Sequence, residues 1–150
     1  MGDRLGGYWL GVRLGSGVRE AYDESGVRHA LRVLAPPDDP GALADWVAAV
    51  RQVSSLRVAP LVDHRLGADP PYLVGEYVEG VSVRDAVERH GPFAADDLYR
   101  LAATTATALA AVHEAGVAHG GLSPRTVLPT ADGPPPGSYT NLRSHDAVLD

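Results

Sequence analysis

Gly116–Leu128 reads GVAHGGLSPRTVL. Gly116 closes whatever helix precedes it, Ser123-Pro124 reads as a turn, and Val127-Leu128 leaves as a strand-prone pair. Between His119 and Thr126 there is no carboxylate and no carboxamide. The stretch has the outline of a reactive loop, yet its one titratable imidazole is followed by Gly120 and Gly121.

The segment before this loop is helical. Leu98, Leu101, Thr105, Leu109 and Val112 recur at helical spacing and are expected to form a buried stripe on a helix that begins near Ala95. Asp96 and Asp97 in its first turn suit the helix dipole. A shorter helix is expected after Ser82, with Asp85 in a capping-box position and Gly91-Pro92 as its stop. Beyond Leu128 the stretch PTADGPPPGSYTNLRSHD is too rich in breakers for a helix and suits at most a frayed hairpin.

The first half is β-rich. YWLGVRL, VREAY, RHALRVL, APLVDHRL and PYLVGEYV read as five strands, separated by GSG, DESG, APPDDPG and GADPP breakers. Between the third and fourth strands, Leu43, Trp46, Val47, Val50 and Val53 mark an amphipathic helix entered through Pro40. No internal repeat is visible.

Composition narrows the function classes. A chain of 150 residues with 45% hydrophobic content suits one globular domain. Its net charge of -6 opposes phosphate-backbone binding, so no nucleic-acid partner is expected. There is no cysteine, which removes disulfides and thiolate chemistry. All 13 basic residues are Arg, so mechanisms needing an amine have no side chain to use. His113 and His119 are badly spaced for a metal pair, and no metal site is expected. Neither a signal peptide nor a bilayer-spanning run is present, so a cytoplasmic location without membrane contact is the expectation.

Taken in order, these parts resemble bacterial serine/threonine protein kinases of the eukaryotic-like class. LGSG resembles the start of their glycine-rich loop, ALRVL their third-strand motif, and YLVGEYVEGVSVRDAVERHGPF their last N-lobe strand, hinge and following helix. HGGLSPRT stands against the family's HRDLKPxN, and the HGDLxPxN of aminoglycoside phosphotransferases is just as near. The resemblance runs from about Tyr8 to Leu128. It implies an α+β, protein-kinase-like fold: a five-stranded antiparallel N-lobe sheet with one inserted helix over 1–79, a partial helical C-lobe over 80–128, and a Pro/Gly-rich tail over 129–150. It also implies that the C-lobe is cut short.

Residue by residue, the resemblance implies a dismantled active site. Gly121 stands at the catalytic base, Ser123 at the loop Lys and Thr126 at the metal-binding Asn, while His119 keeps a packing role. Arg32 replaces the third-strand Lys, Trp46 its helix Glu partner, and no Asp-Phe-Gly triplet follows. The glycine-rich loop is about four residues short. A vestigial nucleotide site remains in Leu14, Gly15, Gly17, Val18, Ala30, Arg32, Glu76 and Val78, with the hinge backbone open to a base. Whether Arg32 stacks on Trp46, or Trp46 enters the core alone, the sequence leaves open.

The expected function is therefore a catalytically inactive kinase-like module, regulatory or scaffolding, with ATP binding weak or absent and no magnesium site. A protein partner or a homodimer would use the face of the 95–115 helix, and Val127 and Leu128 are expected to be exposed beside it. The alternatives are an atypical kinase or nucleotide-binding protein, and a fragment of a longer kinase with no function alone.

Overall fold

The computed structural model describes residues 2–15, 17–53, 58–118, 122–130 and 139–143, the backbone alone for 129–130 and 139–143. Strands β1 (Arg4–Leu5), β2 (Tyr8–Gly15), β3 (Val18–Tyr22) and β4 (Arg28–Val33) form a meander. Helix α1 (Pro40–Arg51) and short β5 (Val58–Ala59) follow, then β6 (Leu61–Arg65) and β7 (Tyr72–Glu76). Helices α2 (Val83–His90) and α3 (Ala95–Glu114) and strands β8 (Val127–Thr130) and β9 (Tyr139–Arg143) complete the order.

The main sheet is antiparallel, in the order β1-β2-β3-β4-β7-β6. It therefore has six strands, one more than the sequence suggested. The extra strand is β1, whose two residues pair with Trp9 and Tyr8 across the Gly6-Gly7 turn. Two residues are too few to show a period-2 pattern, so only the pairing reveals the strand. The stretch read as the single strand APLVDHRL is likewise divided. Pro60, which has no N–H for a ladder, separates β5 from β6. β5 joins a second sheet, parallel to β9, while β9 is antiparallel to β8.

The helices start where side chains satisfy their first N–H groups. Asp39 caps α1 by accepting from the Ala42 N–H at 3.0 Å, with Pro40 at the first position where no donor is needed. Ser82 caps α2 by accepting from the Asp85 N–H at 3.1 Å. Gly91 ends α2 at φ 81, a backbone region that a residue with a Cβ disfavours.

Two apolar clusters hold the sheet on its two sides. β7 alternates strictly, with Leu73 in one cluster and Tyr72 and Val74 in the other. The larger cluster gathers Leu43, Val47 and Val50 of α1, Leu101, Ala108 and Val112 of α3, and Val127 of β8. Sheet, α1 and the helical half thus share one core. Burial on the scale of Leu73 stabilises by roughly 1.5–3 kcal/mol.

Two expectations for the second half are corrected. Leu98, placed in the buried stripe, is 54% exposed and lines an open apolar trough with Leu122 and Pro124. Val127 and Leu128, expected at the surface, are buried, Leu128 completely. Val127 belongs to the larger core cluster, and β9 pairs along the strand, Val127 opposite Leu142 and Leu128 opposite Asn141. The tail boundary expected between 128 and 129 falls inside β8. Among the described residues, no helix is long and apolar enough to cross a membrane.

Candidate functional site

A cleft of about 480 Å³ lies between the main sheet and the helical half. The sheet contributes Leu14 and Gly15 at the end of β2, Val18 at the start of β3, and Arg32 of β4. The other wall is Gly80, Ser82, Arg84 and Asp85 around the start of α2, with Ser123, Arg125 and Thr126 of the following loop.

The upper rim is tight. Gly15 pairs with Val18, so β2 turns into β3 through positions 16 and 17 alone. Gly17 sits at φ 72, where glycine is favoured, and its carbonyl accepts from the Val33 N–H at 3.1 Å. The turn is thereby tied down to β4.

The lower rim is closed on itself. The Ser123 N–H donates to Thr126 Oγ1 at 3.0 Å, and the Thr126 hydroxyl donates to the Ser123 carbonyl at 3.2 Å. The Arg125 N–H donates to Ser123 Oγ at 3.2 Å. The Thr126 and Val127 N–H groups both reach the Ser123 carbonyl, at 3.0 and 3.3 Å. Helix α2 is fastened to this loop through its Arg84 N–H, which donates to the Pro124 carbonyl at 2.9 Å.

Of the residues assigned to a vestigial nucleotide site, Leu14, Gly15, Val18 and Arg32 line the cleft. Gly17 stands beside it in the turn. Ala30 is buried within the sheet between Glu20 and Gly75, and neither it, Glu76 nor Val78 is in the cleft wall. One group of the hinge backbone, at Glu76, is already bonded within the sheet. Its N–H donates to the Pro60 carbonyl at 2.9 Å, because the β5–β6 break brings that carbonyl alongside β7. Ser123 and Thr126 line the cleft as expected, whereas His119 and Gly121 lie outside the described residues.

Trp46 packs against the larger core cluster, with its indole N–H buried and unbonded among the described residues. Arg32 lines the cleft. Arginines stack on rings elsewhere in the chain: Arg28 lies 3.8 Å over Tyr77 and Arg4 4.9 Å over Trp9.

Sequence reasoning missed Arg84, Asp85 and Arg125 as cleft residues. Arg84 looked like an ordinary surface residue of a polar helix, and Arg125 like loop filler. The available signal was their position, each within a turn's length of a capping or turn serine, Ser82 or Ser123.

Titration is perturbed at the far end of the sheet. Tyr8 donates to Asp63 Oδ2 at 2.9 Å, and burial, followed by that bond, pushes its phenol above the ordinary range. Burial also raises Tyr72. The Ser25 hydroxyl, then His29 and the Val27 N–H, hold the Asp23 carboxyl well below the usual carboxylate range. Tyr8, Tyr72 and Asp23 share a separate hollow with Gly6, Gly7 and Asp63 and do not line the cleft.

No family model matches the chain. It is 35% identical over 140 residues to the "Probable serine/threonine-protein kinase PkwA" of Thermomonospora curvata, covering 87% of this chain and 19% of that protein. It is 40% identical over 88 residues to the "Serine/threonine-protein kinase AfsK" of Streptomyces coelicolor, covering 59% of this chain and 11% of the relative. Among solved structures, Rad53 residues 1-466 in complex with AMP-PNP matches 93% of this chain with a TM-score of 0.77 at 19% identity, which speaks for the fold. The chain spans about a fifth of the length of PkwA, or less of AfsK.

Proposed function

From the premise that this chain is a homologue of the bacterial serine/threonine protein kinases, we propose that it is a catalytically inactive kinase-like module that acts by binding a protein. The observation that carries the reading is the state of the loop where the family keeps its base and a metal ligand. Thr126, at the position of the ligand, exchanges hydrogen bonds with Ser123 within the same turn. Among the described residues, the cleft wall offers one carboxylate, Asp85, on α2. Phosphoryl transfer in this family depends on positioned charge, a base and bound magnesium; Arg32 keeps a charge, but Gly121 and Thr126 bring neither the base nor the amide ligand.

The protein-binding half of the reading is supported by an apolar trough of about 480 Å³ on α3. Leu98, Leu101, Ala102, Leu109 and Leu122 line it, with Leu122 46% exposed. Contiguous apolar surface of this kind marks interaction sites, here for a partner chain or a second copy.

A nucleotide-binding or atypical kinase reading is supported by the cleft itself, whose Leu14, Gly15, Val18 and Arg32 wall persists. The sequence just past β9 also carries a carboxylate, Asp146. A third reading, a piece that works only within a longer kinase, is supported by the short span of the relatives that it matches. Phosphate transfer from radiolabelled ATP to a generic protein substrate separates the first from the second. No transfer above a heat-killed control is expected. Transfer that disappears with Arg32→Ala or Asp146→Asn would establish the enzyme reading instead.

A further inference from the structure

The cleft carries the guanidiniums of Arg84 and Arg125, from a helix and a loop, with that of Arg32 on the opposite strand; among the described residues Asp85 is the one carboxylate in its wall. On a chain of net charge -6 this is a local reversal of sign. Among the described residues, the Arg125 guanidinium has no hydrogen-bond or ion-pair partner. Arg84 is held by Glu88 at 2.9 Å in an exposed pair, of the kind worth no more than about 1 kcal/mol and easily exchanged.

Two features select among anions. Ala30, Glu76 and Val78, the base end of a nucleotide site, do not line this volume, and the Glu76 N–H is already bonded. Arg84, Ser123 and Arg125 also line a neighbouring, mainly apolar trough of about 450 Å³ with Val83, Val87, Pro124 and the Glu88 that pairs with Arg84. A ligand matching both must carry a dianion with apolar groups directly beside it. The backbone contributes little, because the Arg84 and Asp85 N–H groups are spent on Pro124 and Ser82. The side chains make the site.

We propose that this cleft recognises a phosphorylated serine or threonine in a partner's segment, the phosphate against Arg125 and Arg84 and the next apolar side chain against Val83, Val87 and Pro124. A phosphomonoester presents several strong acceptors to guanidinium forks, and arginine clusters are a recurrent solution for such motifs. The proposal rests on the reading of the domain as a binding module and names the chemistry of what it binds.

The test is fluorescence anisotropy on the full chain, in EDTA, with a short labelled peptide in which phosphoserine is followed by two leucines. The phosphopeptide should bind at least about tenfold more tightly than its unphosphorylated form. Arg125→Ala should abolish that difference, and Asp85→Asn should enlarge it by removing a like charge. Val87→Asp should erase the preference for leucine over glycine beside the phosphate. Arg89→Ala, on the same helix outside the cleft wall, is the control, and thermal melts verify folding of each variant. Equal binding of the two peptide forms, or indifference to Arg125→Ala, overturns the proposal. So does competition by inorganic phosphate, or by ATP with magnesium, as effective as that of the phosphopeptide itself. Failure here leaves the inactive-module reading standing, because the phosphate-transfer assay tests that separately.

Discussion

Ser123 and Thr126 are bonded to each other in both directions: the Ser123 N–H donates to Thr126 Oγ1 at 3.0 Å and the Thr126 hydroxyl returns to the Ser123 carbonyl at 3.2 Å. A side chain closed in this way stabilises its own turn. Restoring an acid at Gly121 alone is therefore expected to leave the protein inactive. Gly121→Asp, and Gly121→Asp with Thr126→Asn, should both show phosphate transfer indistinguishable from the unaltered chain. Activity in the single variant would mean that a metal site survives elsewhere in the cleft.

Nucleotide binding is expected to be weak and indifferent to magnesium. Only two residues separate Gly15 from Val18, and Gly17 is tied to Val33, which leaves little backbone to lie over a triphosphate. In a thermal-shift titration, ATP with magnesium should raise Tm no more than ATP with EDTA. A dose-dependent rise that requires the metal contradicts this.

The α3 trough should govern association. Leu98 is more than half exposed, so Leu98→Asp alters the surface without opening the core, whereas Leu101 belongs to the large cluster and is a poor choice for this purpose. Sedimentation should show self-association, or capture of a defined partner, that Leu98→Asp and Leu122→Asp abolish while Tm stays unchanged. A monomer that binds nothing through this face, whatever occupies these positions, removes the interface.

Tyr8 and Asp63 tie the first long strand to β6 across 55 positions of sequence. Tyr8→Phe should cost about 1–2 kcal/mol in urea unfolding at neutral pH, the usual scale for a hydrogen bond to a charged acceptor in a half-buried place. The phenol is raised in the folded chain, so the fold holds that proton more tightly than the unfolded chain does. Its contribution is complete below the ordinary tyrosine pKa near 10 and is lost as pH rises through the folded value. The gap between the unaltered chain and Tyr8→Phe should be constant from about pH 6 to 9 and close only above about pH 10. A gap that varies between about pH 6 and 9 would contradict this.

How far the sequence reaches differs from element to element. The period of Leu43, Val47 and Val50 placed α1, and the Ser82 cap and Gly91-Pro92 stop placed α2, because these signals are local and act through the backbone of their own segment. The β3 strand VREAY was legible to the residue, being bounded by turns on both sides. β1 was not, since two residues become a strand only when Tyr8 and Trp9 lie beside them. In the cleft, Leu14, Gly15, Val18, Arg32, Ser123 and Thr126 could be named from their place in an ordered set of motifs. Arg84 and Arg125 could not, because no local rule says which way an arginine on a polar helix or in a turn will face.

The sequence by itself determined which chemistry is absent: no amine, no thiol, and no acid or amide between His119 and Thr126, statements of composition that no folding can change. It also placed the three helices and the longer strands of the first half in order, through periodicity and turn residues that act over a few positions. Only the tertiary structure decided that Val127 and Leu128 are covered, that the Glu76 N–H is spent on Pro60, and that three arginines from separate elements line one cleft. Each of those depends on which surfaces meet across tens of residues. Such meetings are chosen by the burial of a shared core rather than by the residues' immediate neighbours.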